Sequence, residues 1–195
     1  PAAILHDRPK RGAQAWGETP PYNALGRRAY AARARAVPLG NAGAGFGAQA
    51  GALKGGQGSA SVRTQDGFTV AALAAVNCFG AVTMPNSRVF WAHPFEQGDE
   101  FGGLRPSTDA RRFDLEDWGS AKANPAPRAN TTIACVAVDA ALTPAEAKRV
   151  AQMASAGLAR AIRPVFAPFD GDVVIALSTA QRPCPEPRAF AIARF

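Results

Sequence analysis

The chain reads as an α/β protein of the α+β kind, on the strength of its last third and of one hairpin pattern ahead of it. Residues 132–138 are an apolar run of strand length. Thr143-Pro144-Ala145-Glu146 then spells a helix start, and residues 173–177 form a second short apolar run. Strand, helix, strand in that order is the signature of sheet and helix packed on one another. The hairpin pattern is carried by residues 59–64 and 68–79, which flank a turn at Gln65-Asp66-Gly67.

Taken in order, residues 2–5 are apolar and read as a buried strand or strand end, broken at residues 7–9. A loop rich in Gly, Pro and Thr follows to Pro21. Residues 23–36 set Ala and Leu against Arg at helical spacing and predict a helix stopped by Pro38 and Gly40. Residues 40–58 carry eight glycines, a density that calls for positive φ or for very close approach of the backbone to another group. In the hairpin, the nearly continuous apolar run at 68–79 predicts a strand buried on both faces.

Residues 85–128 lose periodicity apart from an aromatic run at 89–91 and read as extended loop, with 120–129 an exposed linker leading to Asn130. The helix after Thr143 has the strongest local signals of the chain. Thr143 and Glu146 form a capping box and Pro144 occupies the first helical position. Ala147, Val150, Ala151, Ala154, Leu158, Ala161 and Ile162 make a stripe of mostly small residues suited to close packing on a sheet, and Pro164 ends it.

At 195 residues and 47% hydrophobic composition, the chain predicts a single domain over 1–195. The net charge of +7 raises an arginine-rich RNA-binding reading. Against it, the arginines are scattered, and the one dense group, Arg27, Arg28, Arg33 and Arg35, reads as the solvated face of a helix, so no nucleic-acid partner is expected. Three widely spaced cysteines and two histidines build no zinc site; they suggest buried free thiols in a reducing compartment, hence the cytoplasm. The start of the chain has no signal-peptide pattern, and no apolar stretch reaches the roughly 18 residues that span a bilayer, so no membrane partner is expected either.

Three familiar chemistries fail on context. Gly43-x-Gly45-x-x-Ala48 fits a relaxed dinucleotide fingerprint, but no strand leads into it and no helix opens from it. Lys54 is followed by Gly-Gly rather than by the Ser or Thr of a phosphate-binding loop. Neither His6 nor His93 lies near a Gly-x-Ser-x-Gly elbow. What remains are polar residues at the ends of apolar strands: Lys54, Asn77, the Asn130-Thr131-Thr132 junction, and Asp170-Gly171-Asp172.

Four blocks together, GNAGAGFGAQAGALKGGQGSAS, VNCFG, NTTIACVAVDAALTPAEAKRVAQMASAGLARAIRP and FDGD, resemble the L-aminopeptidase/D-esterase peptidase family, which also contains β-peptidyl aminopeptidases and nylon-oligomer hydrolases. The resemblance implies an αββα four-layer sandwich of the N-terminal-nucleophile type, here lacking about the first third of a family member. It implies self-cleavage between Asn130 and Thr131, so that 1–130 is the C-terminal part of an α-subunit and 131–195 a β-subunit. Thr131 is then the nucleophile, and its freed α-amine, with a pKa of about 7.7 to 8.0, is its base.

By the same resemblance, Asn77 donates to the oxyanion, Lys54 is the active-site lysine, and Asp170 with Asp172 orients the amine and Lys54. Where many members carry a Tyr before an Asp, this chain has His6 before Asp7, so His6 is the candidate second oxyanion donor. No cofactor and no metal are implied. The expected substrates are small peptides or amides with a free amino terminus, and the expected partner is a second copy, in an oligomer of cut protomers. Two alternatives stay open: an endo-hydrolase of linear amide oligomers, and an uncut, non-catalytic relative serving as a binding module.

Overall fold

In the computed structural model of the chain, residues 19, 21–107, 118–123 and 130–195 are described. The expected strand at 2–5, His6 and most of the linker at 120–129 lie outside them.

Helix α1 covers Tyr22–Ala31, shorter than the 23–36 its composition suggested. The Ala32 and Arg33 amides close its last turn on the carbonyls of Arg28 (2.9 Å) and Tyr30 (3.3 Å), and the Arg33 guanidinium stacks 4.1 Å from the Tyr30 ring. None of its residues is buried, so no packed face prolongs it.

The glycine-rich segment then runs through a 3₁₀ turn at Gly43–Gly45 into a two-stranded ribbon, β1 (Gln49–Ala50) and β2 (Leu53–Lys54). Close approach is what its glycines serve. A Cβ on Gly45 would stand 2.4 Å from the Gly40 carbonyl oxygen, and one on Gly55 2.2 Å from that of Val76. The segment therefore lies flat against the end of the main sheet where β3 begins and β4 finishes.

That sheet has four strands, β3 (Gly56–Arg63), β4 (Thr69–Asn77), β5 (Thr131–Ala140) and β6 (Val173–Arg182), adjacent in that order. β3 and β4 are the expected hairpin, β4 and β5 are antiparallel, and β5 and β6 are parallel. Helix α2 (Pro144–Ala161) makes the crossover between the parallel strands. Both halves of its capping box form: Glu146 N–H donates to Thr143 Oγ1 (3.3 Å), and Thr143 N–H to Glu146 Oε2 (2.7 Å).

β5 alternates as a strand with one covered face must. Residues 132, 134, 136, 138 and 140 are buried, and 133, 135, 137 and 139 are less so. Val136, Val138 and Ala140 meet Phe68 and Val70 from β4's side and Val150 of α2. Burying side chains such as Val138 and Val150 stabilises by about 1.5 to 3 kcal/mol each. A short helix α3 (Arg188–Ile192), which the sequence reading did not anticipate, adds Ala191 and Ile192 to this core. Glu146 ties it in place, accepting from Arg188 at 2.6 and 2.7 Å.

The α/β class holds, with α2 and α3 on one face of the sheet. Among the described residues these form one helical layer on the four-stranded sheet, with the two-stranded β1–β2 sheet at its end. On the other face Leu73, Cys135 and Ile175 share one row, and Ala71, Ala137 and Leu177 the next. Leu73 is 40% exposed and Leu177 51%. This corrects the expectation that the apolar run at 68–79 is buried on both faces: β4 is covered on one. An apolar run alone does not report how many faces are covered.

All three cysteines are free thiols, Cys78 and Cys184 buried and Cys135 partly so. Burial pushes the Cys78 thiol up to about 12. No helix of the described residues is long and apolar enough to cross a membrane.

Candidate active site

The row at one end of the sheet gathers most of the residues that the sequence singled out. Asn77, the last residue of β4, pairs with Thr131, the first of β5, and the parallel register of β5 and β6 brings Gly171 up to the same level. Asn77, Asn130, Thr131 and Thr132 are buried to within 1% of complete. Three buried polar residues in succession, with a fourth beside them on the neighbouring strand, are an expensive arrangement unless each is satisfied by a partner.

Most of those partners are present. Thr131 Oγ1 donates to the carbonyl oxygen of Asn130, the peptide directly ahead of it. The same oxygen accepts from Gly171 N–H at 3.0 Å. The hydroxyl and Gly171 are so close that a Cβ at 171 would stand 2.5 Å from Thr131 Oγ1. Gly171 is thus required for contact with the hydroxyl, not for a turn. Among the described residues, Thr132 Oγ1 and Asn130 Nδ2 are buried without a hydrogen-bond partner. An unmet buried polar group costs about 1 to 3 kcal/mol, so these two atoms lower the stability of this strand end.

Asp172 accepts from Thr132 N–H at 2.6 Å and from Phe166 N–H at 2.9 Å. Asp170 accepts from Phe79 N–H at 3.0 Å and from Gly171 N–H at 2.9 Å. Asp172 thus holds the amide that follows the Asn130-Thr131 peptide, and Asp170 holds those of Phe79 and of Gly171, the donor to the Asn130 carbonyl. Burial raises the Asp170 carboxyl above its ordinary range, with the Phe79 amide opposing the shift.

Phe79 secures this end of the site. Its ring is 2% exposed and packs edge-on to Phe169 (4.7 Å) and Trp118 (5.6 Å). Its amide meets Asp170, and its carbonyl accepts from Lys122 N–H at 2.9 Å.

Among the described residues, no hydrogen bond joins Lys54 to the junction, although its partner Gln49 donates its N–H to Asn77 Oδ1 at 3.0 Å. Lys54 is exposed on β2, opposite Gln49. With the Asn41 amide turned so that its nitrogen donates to Phe46 O at 2.6 Å, the Asn41 oxygen accepts from Lys54 Nζ at 3.3 Å.

The cation that does reach the junction is Lys122, which the sequence reading passed over. Its Nζ donates to Asn130 Oδ1 (2.9 Å), Asn77 O (3.0 Å) and Asn77 Oδ1 (3.3 Å). Burial lowers its pKa, while Cys78, Asp170 and Asp172 oppose that shift. The one hint in the sequence was scarcity: only four of the chain's 22 basic residues are lysines. The other candidate donor, His6, lies outside the described residues.

The chain is similar to known peptidases. Residues 2–194 match the model of Peptidase family S58. An uncharacterized aminopeptidase of Mycobacterium tuberculosis is 41% identical over 181 residues, 92% of this chain and 50% of the relative. One from Mycobacterium leprae is 43% identical over 143 residues, 73% of this chain and 38% of the relative. The chain thus spans about half the length of the curated relatives it matches. Among solved structures, a Burkholderia sp. beta-aminopeptidase superposes with a TM-score of 0.56 at 26% identity, covering 92% of this chain and 41% of that one. A Pyrococcus horikoshii protein does so with a TM-score of 0.53 at 27% identity, covering 86% and 44%.

Proposed function

We propose, given that the chain belongs to peptidase family S58, that it is a self-processing amide hydrolase with Thr131 as nucleophile, cut between Asn130 and Thr131. One observation carries the reading: the Thr131 hydroxyl is hydrogen-bonded to the carbonyl of the very peptide to be cut, and that carbonyl is already held by the Gly171 N–H.

In the cutting step Thr131 Oγ1 attacks the Asn130 carbonyl carbon. Negative charge gathers on the carbonyl oxygen, where the Gly171 amide donates to it. The C–N bond breaks, an ester joins Asn130 to Thr131 Oγ1, and the hydroxyl proton ends on the departing Thr131 nitrogen. Water then hydrolyses the ester, leaving a free amine on Thr131 and a carboxylate on Asn130.

Turnover repeats the chemistry on an external amide. The Thr131 amine, with a pKa of about 7.7 to 8.0, takes the hydroxyl proton near neutrality. The hydroxyl attacks the substrate carbonyl, Asn77 Nδ2 donates to the oxyanion, the amine product leaves, and water releases the acyl group. Thr131 is 0% exposed in the uncut chain, so on this reading substrate reaches it only after cutting. Cutting and activation are in this way one event.

The substrate class is a short peptide or amide with a free amino terminus, a choice supported by the aminopeptidase names of the relatives and by the beta-aminopeptidase neighbour. Intact mass of the purified protein tests the reading. A fragment beginning at Thr131 is expected, absent in Thr131→Ala and formed more slowly in Thr131→Ser. A wild-type chain that stays whole after long incubation sinks it and leaves the uncut binding module.

A further inference from the structure

We propose that Lys122 is a positioning residue that ties Asn130, the residue ahead of the cut, to Asn77, the oxyanion donor, serving cutting through Asn130 and turnover through Asn77. The proposal rests on the preceding reading of Thr131.

An amide works as an oxyanion donor only if its nitrogen, not its oxygen, faces the reacting carbonyl. For Asn77 that orientation is fixed from behind. Its Oδ1 accepts from Gln49 N–H at 3.0 Å and from Lys122 Nζ at 3.3 Å. Two donors on the oxygen make the flipped amide unfavourable, because the flip would set N–H against N–H.

On the junction side, Lys122 Nζ reaches Asn130 Oδ1 at 2.9 Å. It thereby holds the residue whose carbonyl Thr131 attacks. A third bond, to Asn77 O, uses the last ammonium proton, so the side chain has one geometry rather than several.

The backbone around Lys122 is anchored independently of its side chain. Lys122 N–H bonds Phe79 O at 2.9 Å, and Ala52 N–H bonds Ser120 O at 2.7 Å. Thr83 Oγ1 and Ser120 Oγ are 3.3 Å apart. Removing the ammonium should therefore leave the segment in place and free the two asparagine side chains.

The test uses the full chain and Lys122→Met, with cutting followed by intact mass. Turnover of a small amino-acid anilide with a free amino terminus is expressed per cut chain. Cutting is expected to slow at least tenfold. Per cut chain, kcat should fall at least fivefold with KM within twofold, since substrate binding is untouched.

Lys122→Arg, which keeps a cation and donors, should recover part of both rates. In cutting, Lys122→Met combined with Asn130→Ala should be no slower than the worse single variant, because both remove one interaction. If Lys122→Met does not fold, Lys122→Gln decides, with an intermediate loss expected from its single donor group.

Rates within twofold of wild type in the folded variant overturn the proposal and leave the Thr131 reading standing. Rates that fall only in step with melting temperature, unrescued by Lys122→Arg, mark a merely structural lysine and also overturn it. A wild-type chain that never cuts is a different result: it removes the Thr131 reading itself, and this proposal with it.

Discussion

Replacing Gly171 with Ala puts a methyl group where Thr131 holds its hydroxyl. Gly171 does not occupy the left-handed region of φ, so the backbone accepts alanine and the perturbation is confined to contact. The new Cβ would stand 2.5 Å from Thr131 Oγ1 and 3.2 Å from Asn130 O, and Cβ contacts below 3.0 Å essentially do not occur. The hydroxyl must therefore retreat by at least 0.5 Å.

It has little room to do so, since Thr131 is fully buried and Asp172 grips the next amide at 2.6 Å. A misplacement of about 1 Å in a reacting group costs about 100-fold in rate, or about 2.7 kcal/mol of barrier. Gly171→Ala should accordingly slow cutting by one to two orders of magnitude, at roughly 10- to 100-fold. Intact mass over time reads the rate, and circular dichroism checks that the sheet is intact. A folded Gly171→Ala chain that cuts at the wild-type rate would refute the claim that this contact aims the hydroxyl.

Asn77→Ala removes the amide expected to stabilise the oxyanion and should lower kcat about 100- to 1000-fold with a smaller change in KM, measured on chains already cut. Thr143→Ala deletes the cap of α2 and should cost about 1 kcal/mol, read as a lower denaturant midpoint with an unchanged slope. The Glu146 carboxyl is held down to about 2 by Arg188 and by the Thr143 amide, below the 4.5 of a free side chain. A depressed folded pKa gives stability that is present above pH 4.5 and lost as pH falls toward 2. The denaturant midpoint should fall through that window, and Glu146→Gln should flatten the fall; equal slopes for the two proteins would exclude Glu146 as the source.

Much of this architecture was legible because its causes are local. Thr143, Pro144 and Glu146 lie within one turn, so the start of α2 could be read letter by letter. The hairpin turn at 65–67 likewise announced itself through Asp66 and Gly67. Where causes are remote, reading failed. The arginine spacing after Tyr22 suggested five more helical residues than α1 keeps, because whether a marginal helix continues depends on how much of it is buried, and α1 has no buried residue.

The same division runs through the candidate site. Through its family resemblance the sequence singled out candidate residues for the proposed chemistry: Thr131 following Asn130, Asn77 at a strand end, and the Asp170-Gly171-Asp172 turn. The tertiary structure alone decided how they meet. The register of β4, β5 and β6 set Asn77, Thr131 and Gly171 in one row and turned the two aspartates onto backbone amides. It also brought Lys122 across 45 residues to Asn77. A lysine in a loop carries no local mark of its partners; only the folding of the loop onto the sheet end, where water is excluded, makes its charge matter.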